Sequence, residues 1–381
     1  MSLKRKRRDT TAADEYTVTP TPHTRDDAMV ALRSLMKQYR VDPSMLEDDD
    51  SEPGEEVRVS EITYAEVAPL VGLVHWNNLK DIGVFEIHRS RIPTNLFKSI
   101  VMDMDVMLMQ YGSPYEHQTV EARSRFFSPI FNHLVKLFTF MLRNDLETTI
   151  GGRFGAQGRI EHLFKIFGAV AILFVEVKLK VRNEVERVEA IAQAIAECDS
   201  CDLDNSSHDF SLPIHCIYSD GESFEFFKFE RKPNPSFLRG CFEGDPKHLR
   251  RGLQVPDYTT METSLPFILQ LRCICETIFD VMLSAYFAGL QAYYNRSEEG
   301  KKQYHKRLSS DELDRAIQPA QRALAAFREA EGLRKAGDIV SADATVEEAL
   351  LALHESTGAV PSIYESTLIM RGWDDDEVRR A

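Results

Sequence analysis

The fold is decided by residues 158–178, which read GRIEHLFKIFGAVAILFVEVK. Two apolar runs start within this stretch, at residues 160–167 and 169–181, and only Gly168 separates them. Each run has the length and composition of a β-strand, and so short a connection predicts antiparallel pairing. The second run is apolar on both faces until Glu176, which is typical of a strand that is covered on both sides of its sheet.

Helix and strand patterns alternate around this pair of strands. Apolar residues recur at helical spacing over residues 121–142, and Asn183 is a typical N-cap residue for a second helix that runs to residue 198. Two further strands, 213–218 and 223–230, surround an Asp-Gly turn, which is a strong hairpin signal. The order predicts an α/β (α+β) fold, in which a central mixed sheet is flanked by helices.

Composition divides the chain into four parts. They are a basic and acidic N-terminal tail that is predicted to be disordered apart from a short helix (1–58), a mixed or helical extension that packs on the core (59–118), the domain with the predicted sheet (119–295), and a helical C-terminal extension (296–381). Within them, a basic connector at 231–251 precedes a long apolar helix at 264–294. The Ala/Glu/Arg-rich stretch 310–353 is typical of a helical hairpin that breaks near Gly337.

The charge balance restricts the classes of function. The chain has 46 Lys and Arg against 60 Asp and Glu, a net charge of −14, which argues against a protein that coats nucleic acid non-specifically. A local basic cleft remains compatible with this charge. No uninterrupted apolar run reaches the roughly 18 residues of a membrane span. The six cysteines are not spaced as a disulfide framework, which indicates reduced thiols in an intracellular protein.

A run of five cations, Lys4 to Arg8, lies near the N-terminus. An extended string of this kind fits a nuclear-import signal, because an acidic receptor groove would bind it. It equally fits a solvated tail with no partner. Both interpretations remain open.

The candidate catalytic residues are Glu176 and Lys178, at the end of the second strand. Period-two alternation puts them on the same face, and the hairpin brings Glu161 of the preceding strand toward them. Two carboxylates can hold Mg²⁺ or Mn²⁺, and a neighbouring lysine can orient the attacking water in phosphodiester hydrolysis. By itself E-x-K is a weak pattern, which also fits a strand that simply turns polar as it leaves the core.

An acidic residue, a hairpin, and E-x-K at the end of the second strand together resemble the PD-(D/E)XK (restriction-endonuclease-like) nuclease superfamily. The text GRIEHLFKIFG…ILFVEVK…LPIHCIYSDGESFEFFKFE is similar to that of a branch of uncharacterised fungal proteins. The resemblance covers residues 121–230 well. It implies a core made of a helix, a three-strand meander, a second helix and a further strand, in a magnesium-dependent hydrolase that binds DNA.

Carried over by position, the resemblance implies roles for five residues. Glu161 and Glu176 match the metal-binding acids, Lys178 matches the catalytic lysine, and Gln193 and Glu121 match supporting residues found in some branches. Glu161 departs from the pattern, because Asp is the rule there and a proline normally precedes it, whereas Arg159-Ile160 stand in this chain. Gln193 also fits a plain helix-surface residue, and Glu121 also fits an acid that stabilises a helix N-terminus.

Basic residues near the predicted domain are candidates for contacts with a nucleic-acid backbone. Arg153 lies in a glycine-rich stretch, residues 151–158, which is predicted to be a loop, and Arg159 directly follows it. Lys247, Arg250 and Arg251 form a second cluster, which also fits a solvated loop.

Two functions follow from these patterns. The first is a Mg²⁺- or Mn²⁺-dependent nuclease, with DNA a better candidate substrate than RNA if the Lys4–Arg8 run directs the chain to the nucleus. The second is a catalytically inert nuclease-like scaffold that binds a protein partner through its C-terminal helices. The acidic charge and the glutamate at 161 favour the second, whereas the combination of Glu176, Lys178 and Gln193 favours the first.

Overall fold

One sheet of nine strands organises the part of the chain that the structure, a computed structural model, describes. The described residues are 57–58, 62–74, 81–113, 116–117, 119–139, 141–151, 156–166, 170–177, 184–219, 223–231, 233–242, 251–252, 261–299 and 310–360. In chain order the strands are β1 (Val57–Arg58), β2 (Gly83–Ile87), β3 (Leu142–Gly151), β4 (Ala156–Ile166), β5 (Val170–Val177), β6 (Ile214–Ser219), β7 (Ser223–Glu230), β8 (Ser236–Phe242) and β9 (Arg251–Gly252).

Eight α-helices accompany the sheet in these described ranges. They are α1 (Tyr64–Val67), α2 (Thr94–Tyr111), α3 (Val120–Ser124), α4 (Ser128–Lys136), α5 (Glu184–Ser207), α6 (Met261–Glu299), α7 (Ser310–Lys335) and α8 (Ile339–Gly358). All of these helices and strands belong to one compact unit, Glu56–Ala381.

The sheet is mixed. Its order is β1-β4-β5-β6-β7-β8-β2, with β3 paired to β4 and β9 paired to β7. Strands β3, β4 and β5 form an antiparallel meander, β5 and β6 are parallel, and β6, β7 and β8 are again antiparallel. The chain therefore runs through helix α4, the meander, helix α5 and strand β6, which is the order that the resemblance implies. The predicted mixed sheet flanked by helices is confirmed.

The prediction for the first strand of the meander, β3, was wrong. Residues 121–142 were predicted to form one helix, but α3 ends at Ser124, α4 ends at Lys136 and β3 starts at Leu142. Pro129 lies in the first turn of α4, where its missing N–H is tolerated, so it starts a new helix. The predicted glycine loop at 151–158 is also shorter, because Gly151 ends β3 and Ala156 starts β4.

Strand β8 is a second correction, because it lies inside the stretch 231–251 that was predicted to be a connector. It pairs antiparallel with β7 and parallel with β2. Pro233 and Pro235 precede the strand and Pro246 follows it, and Phe237 of β8 is buried and stacks on Phe227 of β7 with ring centroids 5.0 Å apart. Aromatic packing across the sheet thus outweighs the local Pro/Gly signal.

Each face of the sheet packs on its own hydrophobic core. One core joins Phe224 and Phe226 of β7 to α4, α6 and the C-terminal helices, while the other joins Phe227 and Phe229 of the same strand to α1 and α5. Alternate residues of β7 thus enter opposite cores, as the period of a strand requires. We call the second side the α5 face.

Helix α6 is the central helix of the first core. The segment Ser264–Asn295 has the length and the apolar composition of a membrane-spanning helix. However, 78% of its most apolar part is buried inside the protein. At Gly289 a Cβ atom would lie 2.9 Å from Cγ2 of Ile166 on β4, so the absence of a side chain permits close contact of helix and sheet.

The C-terminal helices α7 and α8 form the predicted hairpin. Gly337 between them has φ +88°, in the left-handed region that favours glycine after a helix, and Asp338 caps α8 by accepting a hydrogen bond from Ser341 N at 3.1 Å. Phe327 of α7 and Leu353 of α8 belong to the same core as Phe279 of α6. The hairpin is therefore built into the core around α6.

Candidate functional site

Strand register brings the backbone positions of Glu161 and Glu176 together. His162 of β4 is the partner of Val175 of β5 in an antiparallel pair. Continuing this register by one step sets Glu161 opposite Glu176, and opposite residues of neighbouring antiparallel strands have Cα atoms about 4.5–5.5 Å apart. The backbones of both glutamates lie in strands, whereas their side chains lie outside the described residues.

The same row continues across the sheet. Glu176 is the partner of Tyr218 on parallel strand β6, and Tyr218 is the partner of Glu225 on antiparallel strand β7. Four adjacent strands therefore present positions 161, 176, 218 and 225 in one row. We call it the acidic row. It crosses the carboxyl ends of the parallel strands β5 and β6, which is the edge where open α/β sheets commonly bind ligands.

Helix α5 covers this row on the α5 face. Tyr218 is buried in the core that contains α5, and α5 begins at Glu184, shortly after the end of β5. Asn205 near the other end of the helix bonds both the backbone N–H and the C=O of Ala171, at 2.9 and 2.8 Å, near the start of β5. The helix thus runs back along the strand, and its first turns lie at the carboxyl edge.

Glu225 is a buried acid that the sequence analysis missed. Its side chain is 1% exposed, and Nη2 of Arg187 in α5 donates a hydrogen bond to Oε2 at 2.9 Å. Nε of Arg239 on β8 lies 3.6 Å from the same oxygen. The sequence does contain a signal for this burial. Glu225 stands two residues before Phe227 and four before Phe229, so the period of a strand places all three on the same buried face.

Gln193 lies on α5, where it is partly buried. Its Nε2 donates a hydrogen bond of 2.6 Å to Oε1 of Glu197, one turn further along the helix. Glu197 is fully buried, so this amide helps to compensate a carboxylate removed from water. The sequence analysis did not single out Glu197, although the Gln-x-x-x-Glu spacing on one helix face indicates the contact.

Tyr64 of α1 brings the N-terminal extension into the α5 face. Its side chain is 3% exposed, and its hydroxyl has no hydrogen-bond partner among the described residues. Burial raises the pKa of this phenol, the negative charge of Asp81 raises it further, and Arg239 opposes both effects. Tyr64 is therefore a neutral hydroxyl close to Arg239.

His162 adjoins Glu161 in sequence but belongs to the other side of the sheet. Its ring lies 5.2 Å from the ring of Phe131 in α4, and its Nδ1 is 2.9 Å from Nδ2 of Asn144 on β3. Burial lowers the pKa of His162 to about 4, so the ring is neutral near pH 7. It is part of the core and does not join the acidic row.

The other predicted site residues are described in part or not at all. Lys178, Arg153, Lys247, Arg250 and the Lys4–Arg8 run lie outside the described residues. The backbone of Arg159 lies on β4 opposite Thr149, and that of Arg251 lies on β9 opposite Phe224, but their side chains are not described. Glu121 is the second residue of α3, which lies next to β5, and its side chain is likewise outside the described set.

The chemistry of the acidic row fits a hard cation. Glu161 and Glu176 would supply carboxylate oxygens from adjacent strands, which are the ligands that Mg²⁺ and Mn²⁺ prefer. No group of three or more His, Cys, Asp or Glu side chains that could hold a metal occurs among the side chains that the structure describes. All six cysteines are free thiols, five of them buried.

Comparisons with known proteins leave the chain without an assigned family. No protein-family model matches it, and no curated protein matches it. Among solved structures, a cryo-EM structure of a DrdV–DNA complex matches with 12% sequence identity and a TM-score of 0.28. The match covers 71% of this chain and 27% of that chain, so this chain spans about a quarter of its length.

Proposed function

We propose that this chain is a metal-dependent nuclease that hydrolyses phosphodiester bonds in nucleic acid, with DNA a better candidate substrate than RNA. The observation that carries the proposal is the register of β4 and β5. It supports two acids side by side at the carboxyl edge of the parallel strands, in a core with the strand order that the PD-(D/E)XK resemblance implies.

In this proposal Glu161 and Glu176 hold Mg²⁺ or Mn²⁺, which when bound polarises the phosphoryl group and lowers the pKa of water. Lys178 orients the attacking water and offsets negative charge that develops on the phosphate. Water adds to phosphorus, one P–O ester bond breaks, and the leaving oxygen takes up a proton. The products are a phosphomonoester and a hydroxyl group.

Gln193 and Glu121 support the site in this proposal. The bond from Gln193 to buried Glu197 holds the Gln193 amide in one orientation on the helix that covers the acidic row. Arg153, Arg159, Lys247, Arg250 and Arg251 are the proposed contacts with the nucleic-acid backbone, which a chain of net charge −14 requires locally. The Lys4–Arg8 run is the proposed nuclear-import signal.

The decisive experiment measures cleavage of single- and double-stranded DNA and RNA with Mg²⁺ or Mn²⁺. The wild-type chain is compared with Lys178→Ala, and folding is checked by circular dichroism. A matched control is Lys228→Ala, because Lys228 pairs with Glu230 at 2.8 Å, beyond the acidic row on β7. We expect metal-dependent cleavage that Lys178→Ala abolishes and Lys228→Ala retains.

The alternative function is an inert nuclease-like scaffold that binds a protein partner. The glutamate at position 161 and the net charge of −14 favour it. Absence of cleavage on every substrate, or equal cleavage by the wild type and Lys178→Ala, would support this alternative.

A further inference from the structure

One end of the acidic row carries two guanidinium groups on a single carboxylate. Arg187 and Arg239 both contact Oε2 of Glu225, at 2.9 and 3.6 Å. These three side chains, which we call the arginine cluster, carry a net charge of +1. The carboxylate is almost completely buried, so water screens this charge weakly.

The two arginines differ in their access to solvent. The side chain of Arg239 is 7% exposed, whereas that of Arg187 is 22% exposed. The Nε–H of Arg187 is buried and has no hydrogen-bond partner among the described residues. An anion from solvent cannot reach this buried Nε–H, but Glu225 holds Arg187 through Nη2 and the side chain is 22% exposed, so the exposed part of the guanidinium can donate to an anion.

Position in the fold relates the cluster to the two acids. Position 225 is two strands from position 176 in the same row, which corresponds to about 10 Å at the usual strand spacing. Arg187 lies in the first turn of α5, where the positive end of the helix dipole adds to its charge. A polynucleotide that crosses the carboxyl edge with one phosphate at the acids would therefore bring another phosphate to Arg187.

We infer that Arg187 binds a phosphate of the nucleic acid that is not the one cleaved, and that Glu225 positions the Arg187 guanidinium for this contact. The inference rests on the proposed nuclease function and adds a specific contact with the substrate backbone. A guanidinium held by a buried carboxylate is preorganised, so little side-chain entropy is lost when the phosphate binds.

The test measures binding of a short fluorescent DNA, single- or double-stranded, by anisotropy as a function of salt concentration. All proteins carry Lys178→Ala in the full chain so that the DNA stays intact. We expect Arg187→Gln to weaken binding about 5- to 10-fold at low salt and to reduce the salt slope by about 0.7–0.9, the value for one phosphate contact. Arg187→Lys keeps a point charge and should restore most of the slope.

Arg231→Gln is the matched control. Arg231 also pairs with a buried acid of α5, Asp199 at 3.0 Å, but it follows β7 six residues after Glu225, about 20 Å away along the strand. We expect the Arg231→Gln protein to bind DNA with the same affinity and the same salt slope as the protein that carries Lys178→Ala alone. Thermal unfolding of each variant shows that loss of binding does not reflect loss of folding.

Two results would overturn the inference while the proposed function survives. One is DNA binding by Arg187→Gln with unchanged affinity and slope, and the other is an equal loss in Arg231→Gln, which would mean a general effect of charge. If the chain without any substitution neither binds nor cleaves DNA, the proposed function and this inference both fail.

Discussion

Arg328 of α7 forms a bidentate ion pair with Asp280 of α6, with Nε to Oδ1 at 2.8 Å and Nη2 to Oδ2 at 2.9 Å. Asp280 is 4% exposed and also accepts a hydrogen bond from Ser90 Oγ at 2.7 Å. A buried carboxylate of the central helix is thus compensated by a residue from the C-terminal segment. The hairpin of α7 and α8 supplies both apolar contacts and a charge that the core requires.

The first prediction concerns this ion pair. Arg328→Ala leaves Asp280 buried with Ser90 as its remaining described donor, and we expect a loss of about 2–3 kcal/mol in the free energy of unfolding. Arg322→Ala in the same helix is the control, because Arg322 and Glu355 are 64% and 60% exposed and such pairs contribute below about 1 kcal/mol. Urea unfolding of the two variants measures the difference, and equal losses would contradict the assigned role of Asp280.

The second prediction concerns the contact of α6 with the sheet at Gly289. An alanine Cβ there would lie 2.9 Å from Ile166 Cγ2 and 3.1 Å from its Cδ1, so we expect Gly289→Ala to destabilise the fold by about 1–2 kcal/mol. Gly332→Ala in α7 has no atom within 4 Å of the new Cβ and should stabilise by about 0.5–1 kcal/mol through helix propensity. Thermal unfolding distinguishes these opposite signs, and stabilisation by both substitutions would refute the close contact.

The third prediction is a loss of stability in mild acid. Burial lowers the pKa of His162 to about 4. The pKa of His215 is also lowered to about 4, mainly by burial and in addition by the positive charge of Lys228. The unfolded chain, with a histidine pKa near 6.5, binds more protons between these values, so stability is complete above about pH 6.5 and falls toward pH 4. We expect a loss on the order of 2 kcal/mol per histidine between about pH 7.5 and pH 5.

The control for this pH effect is a chain with His162→Gln and His215→Gln. Urea unfolding of this variant should show a clearly smaller loss between the two pH values, even though its stability near neutral pH is lower. A carboxylate such as Glu331, whose pKa is lowered mainly by hydrogen bonding to Arg334 against the opposing effect of burial, loses its contribution only at more acidic pH. An unchanged pH dependence in the variant would show that other groups cause the loss.

The fourth prediction concerns metal binding separately from catalysis. If Glu161 and Glu176 hold the ion, Glu176→Gln should weaken Mn²⁺ binding by more than about tenfold. Loss of a residue that only supports a metal ligand already weakens binding by about tenfold, so loss of a ligand should weaken it more. Electron paramagnetic resonance of free Mn²⁺ measures the affinity without a substrate. Glu230→Gln, at the far end of β7, is the control and should bind as the wild type does. Equal affinity of all three proteins would remove the acidic row as a metal site.

Local pattern predicted the elements that depend on short-range periodicity. The strands β4 and β5, the hairpin of β6 and β7, the long helix α6 and the α7–α8 hairpin all appear where their patterns indicated them. Strand β3 escaped prediction because its residues, Leu142–Gly151, alternate weakly and follow a helical pattern, so only pairing with β4 makes them a strand. Strand β8 was missed for the same reason, since its partners lie on β7 and β2.

The sequence by itself determined the order of helices and strands and the residue types available for chemistry, because period and composition act over a few neighbouring residues. Only the tertiary structure decided which residues meet. The row from Glu161 to Glu225 follows from register across four strands, and the contact of Arg187 with Glu225 joins residues 38 apart in the chain. Such contacts depend on how strands align and how helices pack on them, which no local pattern encodes.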